Sequence, residues 1–152
     1  MEHVIIRPYE ERDREALCRI HDGARPMELA RANLSAAFIP LAQAAVAEGL
    51  FDYQVDVAQG PDGVVGFVAY TGQEPAWLYV DPARMGRGIG RQLAAHAMAR
   101  AKGRPLAVEV LAGNTPALAL YQSLGFKTVE TAFGPMPGNE AFAVTVHCME
   151  LR

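Results

Sequence analysis

The sequence predicts an α/β (α+β) protein: a mixed central sheet of about six to seven strands flanked by about four helices, in one domain over residues 1–152. Three observations predict it. Strand-like and helix-like periodicities alternate along the chain without repeats or low-complexity linkers. Hydrophobic residues make up 51% of the chain against 20% charged, enough for a sizeable core and without the signature of disorder. Residues 76–91 run a β-rich apolar segment straight into a glycine-and-arginine loop that opens a helix.

Each element has its own signal. Residues 3–7 read as a first strand ended by Pro8, and residues 10–21 as a helix with Ala16, Leu17 and Ile20 at helical spacing. From 27 to 48, Leu29, Leu34, Phe38, Leu41, Ala45 and Val46 suggest two short helices broken at Pro40 and stopped by Gly49, a roof over the sheet. Val55 and Val57 alternate with polar neighbours, Gly60-Pro61-Asp62-Gly63 supplies turn chemistry, and residues 64–70 return as the second strand of a hairpin. The run into Val80 is the next strand, stopped by Asp81-Pro82. Ile89, Leu93, Ala97 and Ala101 mark an amphipathic helix with Gly103 as its stop. Residues 106–111 form an apolar strand interrupted by Glu109, which suggests a central position covered on both faces. Thr115 suits a helix cap and Pro116 the first helical position, and Gly125 ends that helix after Leu124. Residues 127–131 and 142–151 read as strands joined by a glycine- and proline-rich loop, with Phe142, Val144, Val146 and Cys148 on one face of the last.

The loop has the design of an anion site. Gly86, Gly88 and Gly90 strip side chains from a turn whose backbone N–H groups converge, and the helix behind it adds its positive dipole end. The dinucleotide fingerprint needs a third glycine where Arg91 or Leu93 stands, and the nucleotide P-loop needs Lys then Ser or Thr where Arg91-Gln92 follows Gly90. A glycine-rich turn without a ligand is the alternative on local features. The stretch resembles the acyl-CoA loop of the GNAT N-acetyltransferase superfamily, whose pattern is Arg or Gln, two residues, Gly, one residue, Gly or Ala. Gly88-Ile89-Gly90 fits its end, and Met85 stands at its first position with Arg84 and Arg87 on either side.

A second block extends the resemblance. Asn114 follows a strand, Ala117 comes three residues later, and Leu120-Tyr121 and Leu124-Gly125-Phe126 complete a spacing that is a hallmark of the family. The order of elements matches the GNAT acyl-CoA N-acyltransferase fold over nearly the whole chain. The resemblance implies acetyl-CoA as acyl donor, its diphosphate held by main-chain donors from Met85, Gly86, Arg87, Gly88, Ile89 and Gly90 with Arg91 beside them. It also implies a pantetheine arm paired with the backbone of Leu78, Tyr79 and Val80, with Asn114 and Ala117 alongside, and a sheet splayed between its fourth and fifth strands to admit it. By the same resemblance Tyr121 is the acid that protonates the departing thiolate. A thiol titrates near ~8.5 and a tyrosine near ~10, so the phenol is neutral at pH 7. Asn114 as a turn residue and Tyr121 as part of a buried stripe with Ala117 and Leu124 are the plain alternatives.

An attacking amine arrives mostly protonated and needs a base. Glu74, just before the fourth strand, reaches the cleft directly or through a water, or is a solvated turn residue. Glu109 is expected to be buried, His147 to be structural and His96 partly solvated. Without a Ser-His-Asp or Cys-His arrangement, direct attack in one ternary complex is the simpler scheme. Substrate choice falls to residues 25–51 and 132–141. Most of their apolar members, Phe38, Ile39, Leu41, Leu50, Phe51, Phe133, Met136 and Phe142, are expected in the core, and any that line the cleft favour a small or apolar amine over a polycation. Glu28, Glu48 and Glu140 are the acids available to attract an ammonium group, with a solvated role as the expectation for each.

Composition narrows the rest. A net charge of −3 and a pI of 5.8 argue against nucleic acid as a partner. Cys18 and Cys148 lack metal-ligand spacing and read as reduced thiols, so no metal is expected and a cytoplasmic home is. No apolar run approaches the ~18 residues of a membrane span, and no secretory signal opens the chain. The expected function is acetyl-CoA-dependent transfer of an acetyl group to a primary amine of a small molecule or a protein N-terminus. The alternatives are a catalytically silent acyl-CoA-binding or sensing module and a structural domain whose loop is empty. Homodimers are frequent among relatives, and no segment of this sequence marks an interface.

Overall fold

The structure, a computed structural model, describes residues 2–152. The chain folds in the order β1 (Ile5–Pro8), α1 (Arg14–Arg31), α2 (Leu41–Ala47), β2 (Gln54–Gly60), β3 (Gly63–Tyr70), β4 (Pro75–Val80), α3 (Ile89–Ala99), β5 (Leu106–Leu111), α4 (Thr115–Ser123), β6 (Lys127–Met136) and β7 (Asn139–Leu151). The strands form two antiparallel sheets, β1-β2-β3-β4 and β5-β7-β6.

The first sheet is apolar on both faces because it is covered on both. Val55, Val57, Phe67 and Ala69 pack under Leu17 and Ile20 of α1 and Leu41 and Ala44 of α2. The opposite face puts Ala58, Val65 and Val68 against Ile89, Leu93 and Ala97 of α3. In the second sheet Leu106, Val108, Val110 and Met149 pack with Tyr121 of α4 and Phe126, while Met136 and Val144 cover Leu29 of α1 and Ala37. The start of α1 is fixed by a two-point ion pair, Arg7 to Asp13 at 2.8 and 2.9 Å.

Several elements differ from the sequence expectation. The first helix does not end at His21 but runs to Arg31 with Pro26 inside it. Its buried residues continue through Ala24 to Leu29, and that burial outweighs the loss of one helical hydrogen bond at the proline. The first of the two expected roof helices is therefore the end of α1 followed by a 3-10 turn at Ser35–Ala37, and only the second, α2, forms as a helix of its own. α3 ends at Ala99, ahead of Gly103. Asn114, not Thr115, occupies the cap position of α4, without a capping bond from its side chain. β5 is an edge strand whose burial alternates, so Glu109 is exposed rather than covered. The expected loop 132–141 is a long hairpin, β6 continuing to Met136 and β7 starting at Asn139. β6 is a sheet edge, where Pro135 removes no needed donor.

His96 is partly exposed, as expected, yet its ring is engaged. Its Nε2 lies 2.6 Å from Asp56 Oδ2, and Tyr70 and Gln54 donate to the same carboxylate at 2.6 and 2.8 Å. This network ties α3 to β2 and β3. His147 sits on β7 with Nδ1 at 3.3 Å from Thr131 Oγ1.

Candidate active site

The two sheets join at one end and part at the other. At the join Ala107 N–H donates to the Gln73 carbonyl at 3.0 Å and Lys102 N–H to the Gly72 carbonyl at 2.9 Å. Beyond it β4 pairs with β3 through Leu78, Tyr79 and Val80, and β5 pairs with β7. Among the described residues no ladder joins β4 to β5, so the outer edge of β4 presents unpaired main-chain groups to the gap.

β4 leads to the glycine loop at the open end. Asp81 shapes the exit by accepting from Ala83 N–H at 3.0 Å and from Arg19 at 2.7 Å. Gly86 and Gly88 then adopt φ of +77° and +81°, the left-handed region where glycine carries no Cβ penalty. No neighbour lies within 4 Å of a Cβ built on Gly86, so the turn is open, not plugged. Among the described residues no backbone N–H from 85 to 91 donates to a protein acceptor, whereas the Gly88 carbonyl takes Gln92 N–H at 3.1 Å and starts α3. A row of free donors at the positive end of a helix is suited to a diphosphate. The arginines are arranged differently from a convergent cluster. Arg87 and Arg84 pair with Glu2 at 3.1 and 3.3 Å, and Arg91 donates to Ser123 Oγ at 2.6 Å.

The other wall comes from α1. His21, Arg25 and Glu28, at i, i+4 and i+7, share one helical face. Gly113, at φ +97°, lets the C-terminal end of α1 approach the β5–α4 connection so closely that a Cβ there would stand 2.6 Å from the Arg31 carbonyl oxygen. That approach joins Asn114, only 5% exposed, to Glu28: Nδ2 donates to Oε2 at 2.8 Å. Arg25 lies 3.4 Å from the other oxygen of Glu28. Burial pushes the Glu28 carboxyl up against the pull of Arg25, so it is not the solvated residue the sequence suggested. Burial, with Glu28 adding to it, raises the phenols of Tyr79 and Tyr121 above their ordinary value.

Tyr121 is 6% exposed, with its ring 5.4 Å from that of Phe126. Among the described residues its hydroxyl has no hydrogen-bond partner, and the oxygen is not completely sealed off. Burial keeps this phenol protonated at pH 7.

A cleft of 620 Å³ lies between β4, α1 and the β6–β7 hairpin, lined by Glu74, Trp77 and Tyr79, by His21 and Arg25, and by Glu48, Glu109 and Glu140. Burial, with Glu109 adding to it, raises the Glu74 carboxyl, which brings it nearer the range of a working base. As expected, most of the apolar residues of 25–51 and 132–141 do not line this space. Leu41 and Leu50 are core residues, Phe133 is 77% exposed, and Phe51 packs on Tyr9; only Met136 of that set lines the cleft.

Of the expected site residues, Glu74 and Tyr79 line the 620 Å³ cleft, whereas the loop residues 85–91 follow β4 outside its lining and Asn114 caps α4. Ile89 offers only its backbone, its side chain being core, and Ala117 is half-buried beside Tyr121. Tyr121 does not line the 620 Å³ cleft; Glu28 is the group whose charge reaches it. His21 and Arg25 were missed as site residues. The signal that finds them is the i, i+4, i+7 spacing to Glu28, visible once the helix is allowed to pass Pro26.

Residues 51–128 match the sequence family described as the acetyltransferase (GNAT) domain. Among curated proteins, peptidyl-lysine N-acetyltransferase YjaB of Salmonella typhimurium is 41% identical over 66 residues, 43% of this chain and 44% of that protein. N-alpha-acetyltransferase RimI of Mycobacterium tuberculosis is 40% identical over 74 residues, 43% of this chain and 47% of that protein. The matches therefore span less than half the length of these relatives. Among solved structures, a GCN5-related N-acetyltransferase from Rhodopseudomonas palustris superposes with a TM-score of 0.77 at 21% identity, over 99% of this chain and 96% of that one. A GNAT superfamily phosphinothricin acetyltransferase from Sinorhizobium meliloti, in complex with acetyl-CoA, superposes with a TM-score of 0.66 at 17% identity, over 97% and 87% of the two chains. With the splayed sheets and the open amide loop, these matches lead to one conclusion: the chain belongs to the GNAT acetyltransferase family.

Proposed function

We propose that this chain is an acetyl-CoA-dependent N-acetyltransferase that moves an acetyl group to a primary amine, of a small molecule or a protein N-terminus, by direct attack in one ternary complex. The observation that carries the reading is the row of unpartnered amides at 85–91, continuous with the unpaired edge of β4. Each charge-assisted bond from an amide to a diphosphate oxygen contributes on the order of 1.5–3 kcal/mol. The edge groups of Leu78, Tyr79 and Val80 pair with the amide-bearing arm of the coenzyme. Asn114, whose Nδ2 is held by Glu28, keeps its carbonyl oxygen free to accept from that arm, and the small side chain of Ala117 leaves room beside Tyr121.

When bound, acetyl-CoA supplies the thioester. Glu74 takes a proton from the ammonium group directly or through a water, the amine nitrogen bonds to the carbonyl carbon, and the carbon–sulfur bond breaks. Tyr121 gives its phenolic proton to the departing thiolate, and the second proton shed by the acylated nitrogen passes to solvent, from which the phenolate is reprotonated. The names of YjaB and RimI, a peptidyl-lysine and an N-alpha-acetyltransferase, support an amine as acceptor. Free Cys18 and Cys148 suit a reducing compartment, and we place the reaction in the cytoplasm. The same proposal admits a homodimer, which sedimentation decides.

The depth of Tyr121 favours a second reading, a silent acyl-CoA-binding module. Free-thiol release from acetyl-CoA across an amine panel separates the two. Turnover supports the transferase, and coenzyme binding without thiol release on any amine supports the module.

A further inference from the structure

Resting on the transferase reading, we propose that the acceptor is an aliphatic diamine, bound with one ammonium group at Glu74 and Glu109 and the other at Glu48 and Glu140. These four carboxylates come from four separate elements and line the same 620 Å³ cleft. Glu48 lies across the β6–β7 turn, where a Cβ on Gly138 would stand 2.8 Å from its Cγ. Among the described residues none of the four forms an ion pair or a side-chain hydrogen bond. The cation that shares the cleft, Arg25, is engaged by Glu28 at 3.4 Å.

The four carboxylates act as two pairs. Burial raises Glu48 against the pull of Arg25, with Glu140 adding to the rise, and burial raises Glu74, with Glu109 adding to it. Each pair is close enough for mutual repulsion, which one ammonium group relieves.

A buried group points to the same ligand independently. His21 is 2% exposed, and its Nδ1 lies 2.9 Å from Asp22 Oδ1, which also accepts from Leu41 N–H at 2.9 Å. Asp22 thereby fixes the tautomer with the proton on Nδ1. Nε2 has no partner among the described residues and, lining the cleft, is not sealed off. Burial lowers the pKa of the ring and keeps it neutral, so Nε2 presents a lone pair, suited to accept from an ammonium N–H and unsuited to an anion. Tyr53, Trp77 and Tyr79 supply aromatic walls for a methylene chain and for cations over their faces. An acceptor with its own carboxylate meets repulsion from both acid pairs, and a monoamine leaves one acid pair unrelieved.

Diaminobutane and butylamine, compared by free-thiol release at saturating acetyl-CoA, test the proposal. The diamine is expected to have a kcat/KM at least about tenfold higher, the worth of one well-placed ion pair, and the advantage to lie in KM and shrink in high salt. Glu48→Gln and Glu140→Gln each raise the KM for diaminobutane more than that for butylamine. Neither carboxylate makes a bond in the fold, so melting temperature stays near that of the unaltered protein and reports intact folding. Equal kcat/KM for the two amines, or a lysine peptide used better than diaminobutane, overturns the diamine assignment and leaves the transferase reading standing. Failure of every amine to release thiol overturns both.

Discussion

Tyr121→Phe removes one oxygen atom and nothing else. Among the described residues that hydroxyl makes no hydrogen bond, so its loss leaves no donor or acceptor orphaned, and the ring keeps its place 5.4 Å from Phe126. Folding stability is therefore expected to stay within about 0.5 kcal/mol of the unaltered protein in urea denaturation. Catalysis has no such protection. A positioned acid typically contributes on the order of 10²–10⁴ in rate, about 2.7–5.4 kcal/mol, so kcat for thiol release should fall by at least about a hundredfold with KM for acetyl-CoA little changed. The raised pKa also fixes the pH dependence: the phenol remains protonated above its ordinary value near ~10, so activity should not decline between pH 7 and 10 through ionisation of this group. A Tyr121→Phe protein with unaltered kcat refutes the acid assignment and reduces Tyr121 to packing.

Three further outcomes are expected. Gly86→Ala meets no steric neighbour, so its cost is backbone strain alone, on the order of 1 kcal/mol, accompanied by weaker coenzyme binding in calorimetry because the amide row is redirected. Glu28→Ala leaves the buried Asn114 amide without its acceptor and should cost about 1–3 kcal/mol in urea denaturation, most of it recovered in Glu28→Gln, which keeps an acceptor oxygen. Burial pushes the Asp56 carboxyl up, but hydrogen bonds from Tyr70, Gln54 and His96 outweigh it and hold the pKa below its ordinary value. Its stabilisation is complete above the unfolded value near ~3.9 and is lost as pH falls through the lower folded value, so stability drops in acid and the drop is shallower in Asp56→Asn.

Strands and helices with unbroken periodicity were legible in the sequence: the β2–β3 hairpin, β4, α3 and α4 lie where apolar spacing and turn residues put them. The misreadings share a physical cause, in that local spacing and composition were weighed where tertiary burial decided. α1 passes Gly23 and Pro26 because Ala24 and Leu29 are buried against the sheet. β6 passes Gly134 and Pro135 because an edge strand has donors to spare. At the site, the amide loop was legible because its backbone chemistry is local. The face His21, Arg25, Glu28 was hidden by ending the helix early, and the two acid pairs were hidden because each joins residues more than thirty positions apart in sequence.

The proposed coenzyme site stands on main-chain donors at 85–91 that would grip the diphosphate. Amide NMR during titration with CoA measures this directly. Resonances of residues 85–91 and of Leu78, Tyr79 and Val80 are predicted to shift together as the coenzyme saturates. Binding that leaves those amides unmoved and perturbs instead the residues around Asp56, Tyr70 and His96 would contradict it.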